Sequence, residues 1–137
     1  VNVLNSTISG NETVAEGGGI MNFMGVANVH YSTVTDNTAT LGAGIASLNA
    51  NTTTTVGASI VADNNGAGDD VELMGLANDT FVSTGFNIIG TTGPDIDAFT
   101  DDSTTLTGQD PGISVLDDFG GTAVATELAE LAGLVQD

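Results

Sequence analysis

The chain holds no cysteine, lysine, arginine or tryptophan among its 137 residues. Each absence excludes a chemistry. Without cysteine, neither a disulfide framework nor a thiolate metal site can form. Without lysine or arginine, 18 Asp and Glu residues stand unopposed at a formal net charge of −18, where an average domain of this length carries roughly 15 basic residues. Nucleic-acid binding through phosphates is excluded, because nothing can displace the counterions. Docking on an anionic membrane surface is disfavoured for the same reason. Long hydrophobic runs are also missing, so neither a signal peptide nor a bilayer span is expected. The chain begins with Val1, which marks a processed product or a segment of something larger. A surface this acidic repels itself, and a salt-rich or calcium-containing exterior, such as that of a halophilic host, would suit it.

What is present is β-forming. Hydrophobic residues make up 40% of the chain but aromatic ones only 4%, so the apolar content is Val, Ile, Leu and Ala, with Thr and Asn around it. Together with 19 glycines, this favours strands joined by tight turns. The length is that of one domain.

The strands repeat. "STISGN" begins at Ser6, "STVTDN" at Ser32 and "SIVADN" at Ser59, at offsets of 26 and 27 residues. A glycine phrase recurs 25 residues apart, as "GGGIMN" from Gly17 and "GAGIAS" from Gly42. A drifting period of this size is the mark of a solenoid with loops of varying length. The segments are short and alternating, with Asn and Gly at the corners, which predicts a parallel β-helix rather than stacked helical hairpins. Equivalent residues then stack: Ile8, Val34 and Val61 in one interior column, Ile20 and Ile45 in another, and Asn11, Asn37 and Asn64 as an amide ladder at a corner. The glycines are expected at corners. No lysine accompanies them as it would in a phosphate cradle.

These phrases, followed by "TGFNIIG" (Thr84–Gly90) and "LTGQDPGISVLDDFGGT" (Leu106–Thr122), resemble in kind and order the right-handed β-helix repeat proteins of bacterial and archaeal surfaces. The likeness is to the C-terminal β-helix region of the choice-of-anchor type. It spans nearly the whole chain and implies an all-β, right-handed parallel β-helix on an extracellular or cell-surface protein. The coils are expected over residues 1–122. At 123–137 the chain departs from the family, which ends in a His-containing, Pro-rich phrase. Here Val124, Leu128, Leu131 and Val135 fall at helical spacing and predict a short capping helix. The first coil has no obvious cap. Either further coils precede Val1, or the coil stacks on another subunit to give a dimer or an end-to-end filament.

Enzymes do occur on β-helices, but lyase chemistry ordinarily needs a basic side chain to abstract a proton, and this chain lacks lysine and arginine. A glycoside hydrolase would need paired carboxylates. The pairs Asp69-Asp70, Asp101-Asp102 and Asp117-Asp118 fall in polar, loop-like contexts and read as solvated charges. Calcium is the better candidate ligand, since it accepts six to eight oxygens in irregular loops. "DNNGAGDD" offers Asp63, Asp69 and Asp70, and "GPDIDAFTDD" offers Asp95, Asp97, Asp101 and Asp102. Neither has EF-hand spacing. His30 is the single histidine, placed at a corner or in solvent without partners for a triad or a transition metal. Met21, Met24 and Met74 read as packing residues. The Thr run at Asn51–Val56 occurs once, too little for an ice-binding array. Sequons lie at Asn5, Asn11, Asn51 and Asn78.

The expected function is a noncatalytic structural or adhesive segment, with self-association, further coils, glycans or other surface proteins as partners. A carbohydrate-active or carbohydrate-binding module is the alternative, and the scarcity of aromatic rings counts against it.

Overall fold

The computed structural model describes residues 1–74, 79–94, 96, 98–99 and 102–113. The first coil holds β1 (Asn2–Leu4), β2 (Thr7–Ser9) and β3 (Ile20–Asn22). The second holds β4 (Val26–His30), β5 (Thr33–Thr35), β6 (Thr38–Ala39) and β7 (Ile45–Leu48). β8 (Thr53–Gly57), β9 (Ile60–Val61), β10 (Asn65–Gly66) and β11 (Val71–Met74) form the third; β12 (Thr80–Ser83), β13 (Ile88–Ile89) and β14 (Leu106–Thr107) follow. All pairings between these strands are parallel. The fold is a parallel β-solenoid of about three turns, without a helix among the described residues. The predicted capping helix at 123–137 lies outside them.

Three faces enclose the core. The first orders its strands β1-β4-β8-β12, the second β2-β5-β9-β13-β14 and the third β3-β7-β11. The predicted columns are in register: Ile8, Val34 and Val61 along the second face, which Ile89 continues, and Ile20 and Ile45 along the third, which Val71 continues. Val3, Val29 and Val56 add a column from the first face. Val29, Val34, Ile45, Val56 and Val61 are fully buried, each stabilising the stack by about 1.5 to 3 kcal/mol. Phe81 and Phe99 join the same core, with ring centroids 5.7 Å apart.

Strand alternation corrects one expectation. Ile20 and Asn22 point inward, which turns Met21 outward; Met24, on the loop after β3, is exposed as well. These two methionines are surface residues, not packing residues. Corners turn through left-handed backbone at equivalent places: Asn5, Tyr31 and Ala58 after the first face, then Gly10, Asp36 and Asp63 after the second. Gly17 and Gly42 take the same conformation at the start of the glycine phrases. The last glycine of each phrase has another reason to be there. A Cβ on Gly19 would meet Val34 and the Asn37 amide at 2.8 and 3.0 Å, and one on Gly44 would meet Val61 and the Asn64 amide at 2.8 Å each. The glycine and asparagine phrases therefore recur together because each glycine makes room for an asparagine of the following coil.

Candidate functional site

The polar residues of the second face and its corner form two ladders that run the same way. In the asparagine ladder, the Asn11 amide donates to Asn37 Oδ1 at 2.8 Å and the Asn37 amide to Asn64 Oδ1 at 2.9 Å. The backbone N–H groups of Asn11 and Asn37 donate to the same two oxygens. In the serine ladder, Ser6 N–H donates to Ser32 Oγ, Ser32 N–H to Ser59 Oγ, and Ser59 N–H to Asn87 Oδ1 at 3.1 to 3.2 Å. In both ladders the accepting side-chain oxygen thus belongs to the coil that follows its donor.

Asp70 ends the asparagine ladder. Its Oδ1 accepts from the Asn64 amide at 2.8 Å and from Asn64 N–H at 2.9 Å. Its Oδ2 accepts from Thr91 N–H at 2.8 Å and from Thr91 Oγ1 at 3.0 Å. A carboxylate has about four lone-pair positions, and here all are filled. A Cβ on Gly90 would collide with Asp70 Oδ2, so the glycine of "FNIIG" leaves space for the carboxylate. Although Asp70 reads as a solvated loop charge in the sequence, it is 5% exposed. The hydrogen bonds available from Asn64 and Thr91 make that burial tolerable.

Asp102 is built alike. Its Oδ2 accepts from Ser83 and Thr105 hydroxyls, and its Oδ1 from Thr104 N–H and Oγ1. These donors, Ser83 first, hold its carboxyl well below the usual carboxylate range. Asp63 is different: it is an exposed corner residue. It lines a notch of about 300 Å³ with Asn64, Asp70, Thr91, Gln109 and Asp110. Partial desolvation, followed by the charges of Asp110 and Asp70, raises its pKa. Asp69 is half-buried beside Asp70. Asp95, Asp97 and Asp101 lie outside the described residues, as do Asn78 and Asp117-Asp118. Among the described residues no three His, Cys, Asp or Glu side chains gather as metal ligands. The structure thus places Asp63 and Asp70 on one notch and commits Asp70 and Asp102 to the fold's own donors.

Sequence reasoning missed three participants. Asn87 continues the serine ladder; its signal was the match of "NII" to the "SIV" at Ser59, with asparagine replacing serine. Asp102 reads in the sequence as a loop charge and a candidate calcium ligand, and its part as acceptor for Ser83, Thr104 and Thr105 has no sequence signal. The third is an interior polar chain from Asn22 through Thr54 and Ser47 to Asp79, with contacts of 2.9, 3.2 and 2.9 Å. Its members come from the ends of different coils, so no sequence spacing announced it. Asp79 is 8% exposed, and its Oδ2 has no hydrogen-bond partner among the described residues. Desolvation raises its pKa against the lowering effect of Ser47 and the Thr80 backbone.

His30 lies half-buried at the first corner, its ring centroid 6.2 Å from that of Tyr31. Of the Thr run, Thr54 points inward, and Thr53 meets Thr80 Oγ1 on the outer surface at 3.4 Å. No helix among the described residues is long and apolar enough to cross a membrane.

Comparison with protein-family models, curated proteins and solved structures finds no match.

Proposed function

We propose that this chain is a noncatalytic structural or adhesive segment of an extracellular or cell-surface solenoid protein. The observation that carries this reading is where the polar side chains are spent. Asn11, Asn37, Asn64, Asp70, Ser32, Ser59 and Asn87 bond mainly to neighbouring coils or to one another. Buried polar networks of this kind stiffen a fold and specify its register. The strongly acidic surface keeps such a rod soluble and separate from other polyanions, and suits a salt-rich or calcium-bearing exterior. The test is incubation with a panel of acidic and neutral polysaccharides, reading release of reducing ends or of unsaturated uronates. The structural reading expects none; release that disappears in an Asp63→Asn, Asp110→Asn double variant would replace it with a hydrolase if only reducing ends appear, or with a lyase if unsaturated uronates do.

One observation favours carbohydrate binding as a second reading. Tyr31 and Phe86 are both exposed, at 67% and 75%. Each projects from a left-handed corner after the first face. They stand two coils apart, a spacing of about 10 Å at the usual strand separation, which suits alternate units of an extended glycan. Retardation in polysaccharide-containing gels that is lost in Tyr31→Ala and Phe86→Ala would support it, and unchanged migration of the parent protein would remove it.

A further inference from the structure

The fourth coil cuts a corner that the second and third turn in full. Residues 35–44 link Val34 to Ile45 and residues 62–70 link Val61 to Val71, whereas Gly90 and Thr91 alone link Ile89 to Thr92, which bridges to Val71. β10 (Asn65–Gly66) sits on the longer path of the third coil and pairs with β6 on one side. Asn65 N–H donates to the Asn37 carbonyl oxygen at 2.7 Å. Successive N–H groups of a strand point to opposite edges, so Gly66 N–H faces the edge where no described strand pairs. Both residues are exposed. The Asn65 amide is loosely held: it donates to Asp36 Oδ1 at 3.4 Å, beyond the usual range of about 2.7–3.2 Å. The neighbouring Asn64 amide is instead fixed by Asp70 Oδ1 at 2.8 Å and by the Val34 and Ala62 carbonyls at 3.0 and 3.2 Å. Gly66 cannot be exchanged, because a Cβ there would collide with the Ala39 carbonyl oxygen. The fold therefore keeps the least hindered kind of backbone nitrogen directly after an exposed asparagine, in the sole Asn-Gly pair of the chain.

We propose that Asn65-Gly66 is a self-modification site, at which the chain converts Asn65 to aspartate and isoaspartate with water as the co-reactant. Gly66 N gives its proton to hydroxide and bonds to Asn65 Cγ. The Cγ–Nδ2 bond breaks, and the departing nitrogen takes up a proton and leaves as ammonia. Water then adds to either carbonyl of the succinimide and breaks the adjoining ring C–N bond. Opening at Cγ gives aspartate; opening at the backbone carbonyl gives isoaspartate. Ring closure requires β10 to leave its strand geometry, and a two-residue strand bonded along one edge opens at small cost. The product sets a carboxylate where an amide met Asp36, so like charges now face each other across the two strands. In the isoaspartate form the main chain also gains a carbon between residue 65 and Gly66, which takes Gly66 out of its register opposite Ala39. The site acts as a one-way clock. With age, this corner of the third coil lifts from the second, while the column through Val34 and Val61, on another face, stays stacked.

The test is ageing of the folded chain in mildly alkaline buffer, followed by peptic peptide mapping with mass spectrometry. An isoaspartyl methyltransferase assay separates isoaspartate from aspartate. Asn65 is expected to convert before any other asparagine, at least about tenfold faster than Asn37 or Asn64, whose amides the ladder holds. Ammonia is expected in equal amount, and an Asn65→Gln chain is expected to release none over the same period. Conversion of Asn65 only in urea would overturn the proposal, because the fold would then protect the pair. Earlier conversion of another asparagine, or ammonia release unchanged in Asn65→Gln, would overturn it too. The isoaspartate form, isolated by ion exchange, tests the consequence by amide hydrogen exchange. The amide of residue 65 is expected to exchange at least about tenfold faster than in the fresh chain, with Val34 and Val61 as protected as before. Unchanged protection at residue 65 would overturn the release of β10, and lost protection at Val34 and Val61 would overturn its confinement to the corner.

Discussion

Asn11 and Asp70 stand at opposite ends of one ladder, and their difference gives the ladder a direction. Both have side chains with a carbonyl-type oxygen at the same corner of the coil. Asn11 also has an NH2, which it gives to Asn37. Asp70 has a second oxygen instead, and four donors from Asn64 and Thr91 converge on its carboxylate. One substitution of NH2 by O separates a position that continues the ladder from one that ends it. The serine ladder runs in the same direction through different residue types. Direction therefore belongs to the coil, not to asparagine alone.

The most severe way to break this comparison is to put an ending in the middle. Asn37→Asp removes the amide protons given to Ile8 and Thr35 carbonyls and to Asn64 Oδ1, and it sets a buried charge beside an acceptor. The expected loss is about 4 kcal/mol of unfolding free energy, read by urea titration. Asp70→Ala is the next largest. It takes the acceptor from the Asn64 and Thr91 backbone N–H groups and should cost about 3 kcal/mol, whereas Asn11→Ala, exposed in the first coil, should cost about 1 kcal/mol or less. Equal losses at the two positions would erase the distinction between the ends.

Apolar packing sharpens the same contrast. Val34→Ala, fully buried in the column, is expected to cost about 2 to 3 kcal/mol, and Ile8→Ala, half-buried in the first coil, about 1 kcal/mol although it removes more carbon. The smallest effect concerns pH. Asp79 has its pKa raised above the ordinary 3.8 by burial. Its folded form holds a proton more tightly than the unfolded chain does, so its contribution is fullest below 3.8 and is lost as pH rises through the folded value. Asp79→Asn should flatten the fall in urea midpoint as pH rises above 3.8. Asp102 has the opposite sign: its lowered pKa makes its contribution present at neutral pH and lost only in strong acid. Asp102→Asn should therefore weaken the protein at neutral pH and leave the acid limb of the profile shallower.

The repeat phrases made the stacking legible in advance. Ile8, Val34 and Val61, and Asn11, Asn37 and Asn64, sit in register because a parallel coil must place equivalent residues above one another. The carboxylates were not legible. Asp70 lies six positions after Asn64 in the same coil, outside any repeat, and nothing in "GAGDD" distinguishes it from Asp69. Only the approach of Thr91, with Gly90 leaving room, turns one of the two into a buried acceptor. Asp102 and Asp79 likewise gained their environments from residues distant in sequence.

By itself the sequence determined the period, the inward aliphatic columns, the corner asparagines and a surface without positive side chains. These properties follow from local preference and from repetition, which any coil carries within its own residues. The tertiary structure decided which acids are buried, where the ladder ends and which way its protons point. Those outcomes depend on the distances between donors and acceptors from different coils, and such distances exist only once the coils are stacked.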